Sequence, residues 1–165
     1  MQLLGVSPWR FLLYLGSAYG LLTVVFALWR GRWRERTVAV AVLVSSVAEY
    51  AYAWLALGIA PRLGPLPGWR APPVWYEPAT DVLILAVCVA CALRSDRYWT
   101  IWASSFALLS VALHLVWPFT TGLTWWAHAW AMDIWFGLMT TALLAGAWSA
   151  HRERARAAAA SKSQP

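Results

Sequence analysis

The chain has 165 residues, 61% of them hydrophobic and only 12% charged, with 14 tryptophans and a formal net charge of +6. Soluble domains are about half apolar and about a quarter charged, and here the apolar residues come in long runs without a strand or amphipathic-helix period. A freely soluble globular domain is excluded. The class indicated is all-α and membrane-embedded, because a hydrocarbon core about 30 Å thick needs about 20 apolar residues per helix.

Five runs qualify as spans. The first, Phe11–Trp29, is too long for a signal-peptide core, and no Ala-x-Ala cleavage site follows it, so it reads as a membrane helix. It contains Gly16-Ser-Ala-Tyr-Gly20, a spacing that lets helix backbones approach closely. The second run is Thr37–Ala60. Between it and the third lies Pro61–Glu77, whose five prolines and two glycines exclude regular structure. That segment reads as an outer interfacial loop with room for docking. The third run, Pro78–Leu93, is short and reaches about Asp96 if Arg94 snorkels to the interface. Pro78 suits a first helical turn, with Asp81 near the positive dipole end. The fourth run is Tyr98–Trp117. The fifth, Thr124–Ala150, carries a small-residue face at Gly137, Thr141 and Ala145. Residues 1–150 thus form one transmembrane domain. Residues 151–165 are a basic, Ala-rich tail that continues the last helix briefly and then frays.

Orientation follows from the basic residues in the connections. Arg30, Arg32, Arg34, Arg36, Arg94, Arg97, Arg152, Arg154, Arg156 and Lys162 fall on one side, and only Arg10, Arg62 and Arg70 on the other. The alternation holds through all five spans. It predicts an outside N-terminus and a cytoplasmic C-terminus. These charges are juxtamembrane, so they indicate lipid rather than nucleic acid as partner, at about 1 kcal/mol per residue near an anionic surface. The tryptophans near both ends of the spans read as interfacial anchors.

Cys88 and Cys91 form a Cys-x-x-Cys pair. A membrane thiol oxidase needs such a pair at the outer surface and further cysteines in an outer loop; here the pair lies toward the cytoplasmic side and the loop has none. The two read as small packing residues, and two cysteines without matched histidines make no zinc site.

Ionisable residues inside a membrane are costly and mark candidate sites. Four stand out. Glu49 lies about 18 Å into the second span and Asp133 about 13 Å into the fifth, while His114 and His128 each lie about 6 Å inside the outer boundary. Asp133 and His128 point about 140° apart on their helix, so one site does not use both. His114 ends the stripe Ala103, Ala107, Ser110, His114, Trp117. Glu49 shares a face with Ser45, Ser46 and Tyr52. In the structural reading, Glu49 and Asp133 are protonated and tie helices together, and the histidines bridge at the water boundary. In the functional readings, Glu49 and Asp133 form a proton path, or His114 and His128 ligate a haem or chlorin or contact a quinone, with Ser110 leaving room for a macrocycle.

The run DVLILAVCVACALRSDRYWTIWASSFALLSVALHL, Asp81 to Leu115, resembles small multi-pass membrane proteins of alphaproteobacteria of the sphingomonad type. Those carry an apolar helix, an Arg-Ser-Asp-Arg-aromatic-Trp turn, and a second helix ending in His-Leu; Arg94 to Trp99 and His114-Leu115 match. The resemblance covers about a fifth of the chain. It implies a bacterial inner membrane and brings no activity with it.

The sequence therefore predicts a five-helix inner-membrane bundle without an enzymatic motif. The leading functional reading is a non-enzymatic accessory or scaffold subunit packing against other membrane proteins, with no cofactor. The alternative is a small electron-transfer protein binding haem, chlorin or quinone through His114 and His128. A proton-coupled permease ranks last, because five short helices leave little protein for two alternating gates.

Overall fold

Proline at the first helical position opens α1, Pro8–Arg30, where the missing N–H costs nothing. The computed structural model describes residues 8–55, 76–117 and 125–162. Those residues form α1, α2 (Trp33–Leu55), α3 (Tyr76–Leu93), α4 (Tyr98–Val116) and α5 (Trp125–Lys162), with no strand among them. The proline-rich segment read as an outer loop lies outside the described residues up to Tyr76. Two helices, α4 and α5, contain stretches long and apolar enough to cross a membrane; Leu15–Arg30 and Pro78–Leu93 are shorter apolar segments.

Several helix ends differ from the apolar runs of the sequence, three of them for a local reason. α2 starts at Trp33, about a turn before Thr37, because the Arg32 N–H donates to Glu35 Oε2 at 2.8 Å. The third helical residue thus reaches back to cap the residue before the helix. Gly31 makes the corner possible: a Cβ there would fall 2.3 Å from the Ala27 carbonyl oxygen and 2.7 Å from Glu35 Cβ. α3 ends at Leu93 instead of reaching Asp96. The N–H groups of Arg94 and Ser95 turn back to Cys91 and Ala92, and Ser95 Oγ accepts from the Arg97 N–H at 3.1 Å. α5 continues to Lys162, since a run of alanines has the highest helix propensity available.

The helices form a ring in chain order. Each packs against the next, and α5 returns to α1. The described hydrophobic core sits toward the end that carries the arginine-rich turns. Ala27 of α1, Val38 and Val42 of α2, Cys88 and Cys91 of α3, Ala103 of α4, and Leu143 and Ala147 of α5 are all buried there. Both cysteines are buried within this core, in contact with its apolar side chains. α4 and α5 pack tightly at Gly146, where a Cβ would come within 2.6 Å of the Trp99 ring. The Gly16-xxx-Gly20 spacing is half used: Gly20 faces Phe136, while nothing lies within 4 Å of a Cβ at Gly16.

The outside of the ring is apolar. Leu22, Trp29, Val44, Leu83, Leu108, Leu115 and Ile134, drawn from all five helices, are exposed.

Candidate functional site

The end of the bundle opposite the arginine-rich turns holds the polar cluster. α3 is its centre, because two consecutive residues join it to different neighbours. Thr80 Oγ1 donates to Glu49 Oε1 of α2 at 3.0 Å. Asp81 Oδ2 accepts from Ser110 Oγ of α4 at 2.6 Å and lies 3.2 Å from His114 Nε2. Ser110 and His114 stand one turn apart on α4, so a single carboxylate oxygen receives both. Ser110 Oγ also lies 3.6 Å from Met132 Sδ on α5.

His128 completes the cluster from α5. Its ring meets the His114 ring edge to face, with centroids 5.2 Å apart and planes at 63°. The Trp117 ring also packs on it, with centroids 4.4 Å apart and planes tilted by 39°. His128 is 9% exposed, and among the described residues its buried Nδ1 has no hydrogen-bond partner. Buried polar atoms are normally satisfied, so Nδ1 is the unsaturated point of the cluster.

This geometry bears on the macrocycle reading. Two histidines ligating one haem must stand on opposite faces of a flat ring, each presenting a nitrogen to the metal. Here the imidazoles touch directly, the Nε2 of one is held at a carboxylate, and Trp117 covers the other. The contact leaves no gap for a shared macrocycle. Among the described residues, no group of three or more His, Cys, Asp or Glu side chains is arranged to hold a metal ion.

The four candidates from the sequence therefore divide. His114 and His128 come together. Glu49 is tied separately to α3 through Thr80, and the buried hydroxyl of Ser45, expected on the same face as a partner, has no hydrogen-bond partner among the described residues. Asp133 stands apart from all three. It is exposed on α5, beside the exposed side chains of Trp130 and Ile134, away from the face that carries His128. Sequence reading missed Asp81 as the shared acceptor and treated Ser110 as a spacer. The available signal was the pairing of Ser110 and His114 one turn apart, which asks for a common acceptor.

At the other end a second polar cluster closes the ring. Arg97 forms a two-pronged pair with Glu153, Nη1 to Oε1 and Nη2 to Oε2 at 2.6 Å each, and Arg32 reaches the same carboxylate at 3.2 Å. The Arg97 hydrogen bonds hold the Glu153 carboxyl below its ordinary range. The contact ties the α1–α2 and α3–α4 turns to the extension of α5.

No family model matches the chain, and no curated protein or solved structure matches it either. The resemblance to alphaproteobacterial multi-pass proteins stays an expectation from the sequence.

Proposed function

We propose that this chain is a non-enzymatic accessory subunit of the bacterial inner membrane. All five helices span the bilayer, the N-terminus is outside and the C-terminus is cytoplasmic. Support for five spans comes from the exposed apolar side chains on every helix, far more than a soluble monomer leaves uncovered. The apolar windows of α4 and α5 are only 28% and 33% buried, unlike the core helices of a soluble domain. Support for the orientation comes from the arginines clustered at one end.

The accessory role rests on Asp133. At about 13 Å of depth Asp133 stands exposed on α5, with no hydrogen bond or ion pair to the described residues. An acidic side chain facing hydrocarbon near the midplane costs about 2.5–3.5 kcal/mol. A polar group on a neighbouring membrane protein would remove that cost, which is what a subunit interface supplies. The cluster of Asp81, Ser110, His114 and His128 then fastens three helices together. Mild-detergent extraction followed by native electrophoresis tests the role. The wild-type chain should migrate in a complex larger than its own micelle, and Asp133→Leu should shift it toward the free protein. Wild-type migration as a lone monomer, or no shift on substitution, would contradict it.

One observation favours a second reading, a small quinone-like ligand hydrogen-bonded at the outer end. The unpartnered His128 Nδ1 is an acceptor or donor without a protein partner. A quinone recovered from purified protein and lost on His128→Phe would support it over a purely structural cluster.

A further inference from the structure

We propose that the groove between α3 and α4 seats one acyl chain of an anionic phospholipid, with its phosphate held at the Arg94 corner. The groove has a volume of about 290 Å³ and is lined by Leu85, Val89 and Leu93 of α3 and by Ile101 and Leu108 of α4. It runs about 12 Å along the helices, from the level of Leu85 to that of Leu93. Its only polar side chains, Ser104 and Ser105, turn their hydroxyls back to the carbonyls of Thr100 and Ile101. The wall presented to a ligand is therefore hydrocarbon.

What selects the occupant is the end of the groove. Leu93 and Tyr98, which flank the α3–α4 turn, are 83% and 80% exposed, and a tyrosine so placed suits the headgroup level. Three cationic side chains meet at this turn, and they are not equivalent. Arg97 is fully engaged by Glu153. Arg34 is held here by its hydrogen bond to the Arg94 carbonyl. The exposed Arg94 guanidinium makes no ion pair or hydrogen bond among the described residues. The corner stays positive: Arg32, Arg34, Arg94 and Arg97 face only Glu35, Asp96 and Glu153. α4 begins without a side-chain cap, so its first N–H groups also favour an anion. An acyl-length apolar trough that ends in an unpaired guanidinium matches a lipid with a net negative headgroup. A zwitterionic lipid would bring its own cation to the same corner.

The inference rests on the membrane reading above, and the two can fail separately. The full-length protein, purified in mild detergent, is offered phosphatidylglycerol or phosphatidylcholine in equal amounts. Retained lipid is then read by native mass spectrometry. Wild type should retain phosphatidylglycerol preferentially, and added inorganic phosphate should not displace it, because the chain contributes to its seat. Arg94→Gln should weaken phosphatidylglycerol retention about fivefold, the factor for about 1 kcal/mol per basic residue, and leave phosphatidylcholine unchanged. Ser105→Trp, which fills the trough, should reduce retention of both. Equal retention of the two lipids by wild type, displacement by phosphate, or wild-type behaviour of either variant would overturn the proposal. Release of the protein from membranes by alkaline carbonate would instead overturn the membrane reading.

Discussion

His114 of α4 and His128 of α5 touch edge to face, with ring centroids 5.2 Å apart, and Asp81 of α3 lies 3.2 Å from His114 Nε2. Three helices that are separate in sequence thus meet at one carboxylate and two imidazoles. The hub of that contact is the aspartate, because the same oxygen also accepts from Ser110.

Asp81 should therefore matter more than either histidine. Interhelical hydrogen bonds in membranes average about 0.6 kcal/mol, so His114→Gln should cost about that much, and His128→Gln, which gives up ring contacts with His114 and Trp117, should cost no more. Asp81→Ala removes two partners at once and should cost about 1 kcal/mol or more. Thermal unfolding in detergent orders the three variants. A larger loss from His128→Gln than from Asp81→Ala would show that the imidazole contact, not the carboxylate, is the fastening.

Glu49→Gln should keep the fold. Thr80 donates to Glu49 Oε1, and a glutamine carbonyl accepts the same bond. Circular dichroism and elution of the purified variant report the outcome; loss of folded protein would mean that the charge itself is required.

One crowded and one open glycine position predict opposite effects of one methyl group. Gly146→Ala drives a Cβ to within 2.6 Å of the Trp99 ring and should destabilise by about 1–3 kcal/mol, the usual cost of overpacking. Gly16→Ala meets nothing within 4 Å and should be neutral or slightly stabilising, since alanine favours helix over glycine. Paired melting curves decide it, and equal effects would contradict the packing described.

Much of the architecture was legible in the sequence, because runs of apolar residues and the distribution of arginines are local signals. Five helices follow from the spacing, whereas the contact of His114 with His128 does not, because residues on either side of a short connection can point toward or away from each other. What was not legible depends on register between distant segments. Asp81 meets Ser110 across 29 positions, and Arg97 meets Glu153 across 56; neither separation is encoded in any periodicity. The start of α2 ahead of the apolar run rests on Glu35, an acidic residue within a basic connection. It is a buried cap, 2% exposed.

Acid should loosen the arginine-rich end. The folded state holds the Glu153 carboxyl low through Arg97, so the pair contributes stability above the ordinary carboxylate pKa. That contribution is lost as pH falls through the depressed folded value. The carboxyl is exposed and screened, so the effect should be small and salt-sensitive. Hydrogen exchange near Arg97 and along 151–162 should quicken with Glu153→Gln at neutral pH, and the difference from wild type should vanish in acid. A difference that persists in acid would place the effect elsewhere.

Cysteine accessibility in intact cells tests the five-span, arginine-inside arrangement most directly. Cys88 and Cys91 are buried and give little background. Arg36 and Asp96 are exposed and lie at the two turns assigned to the cytoplasm; Leu66 lies in the segment assigned to the outside. With a membrane-impermeant thiol reagent, Leu66→Cys should label in intact cells, whereas Arg36→Cys and Asp96→Cys should label only after lysis. Labelling of Arg36→Cys or Asp96→Cys in intact cells would contradict the account.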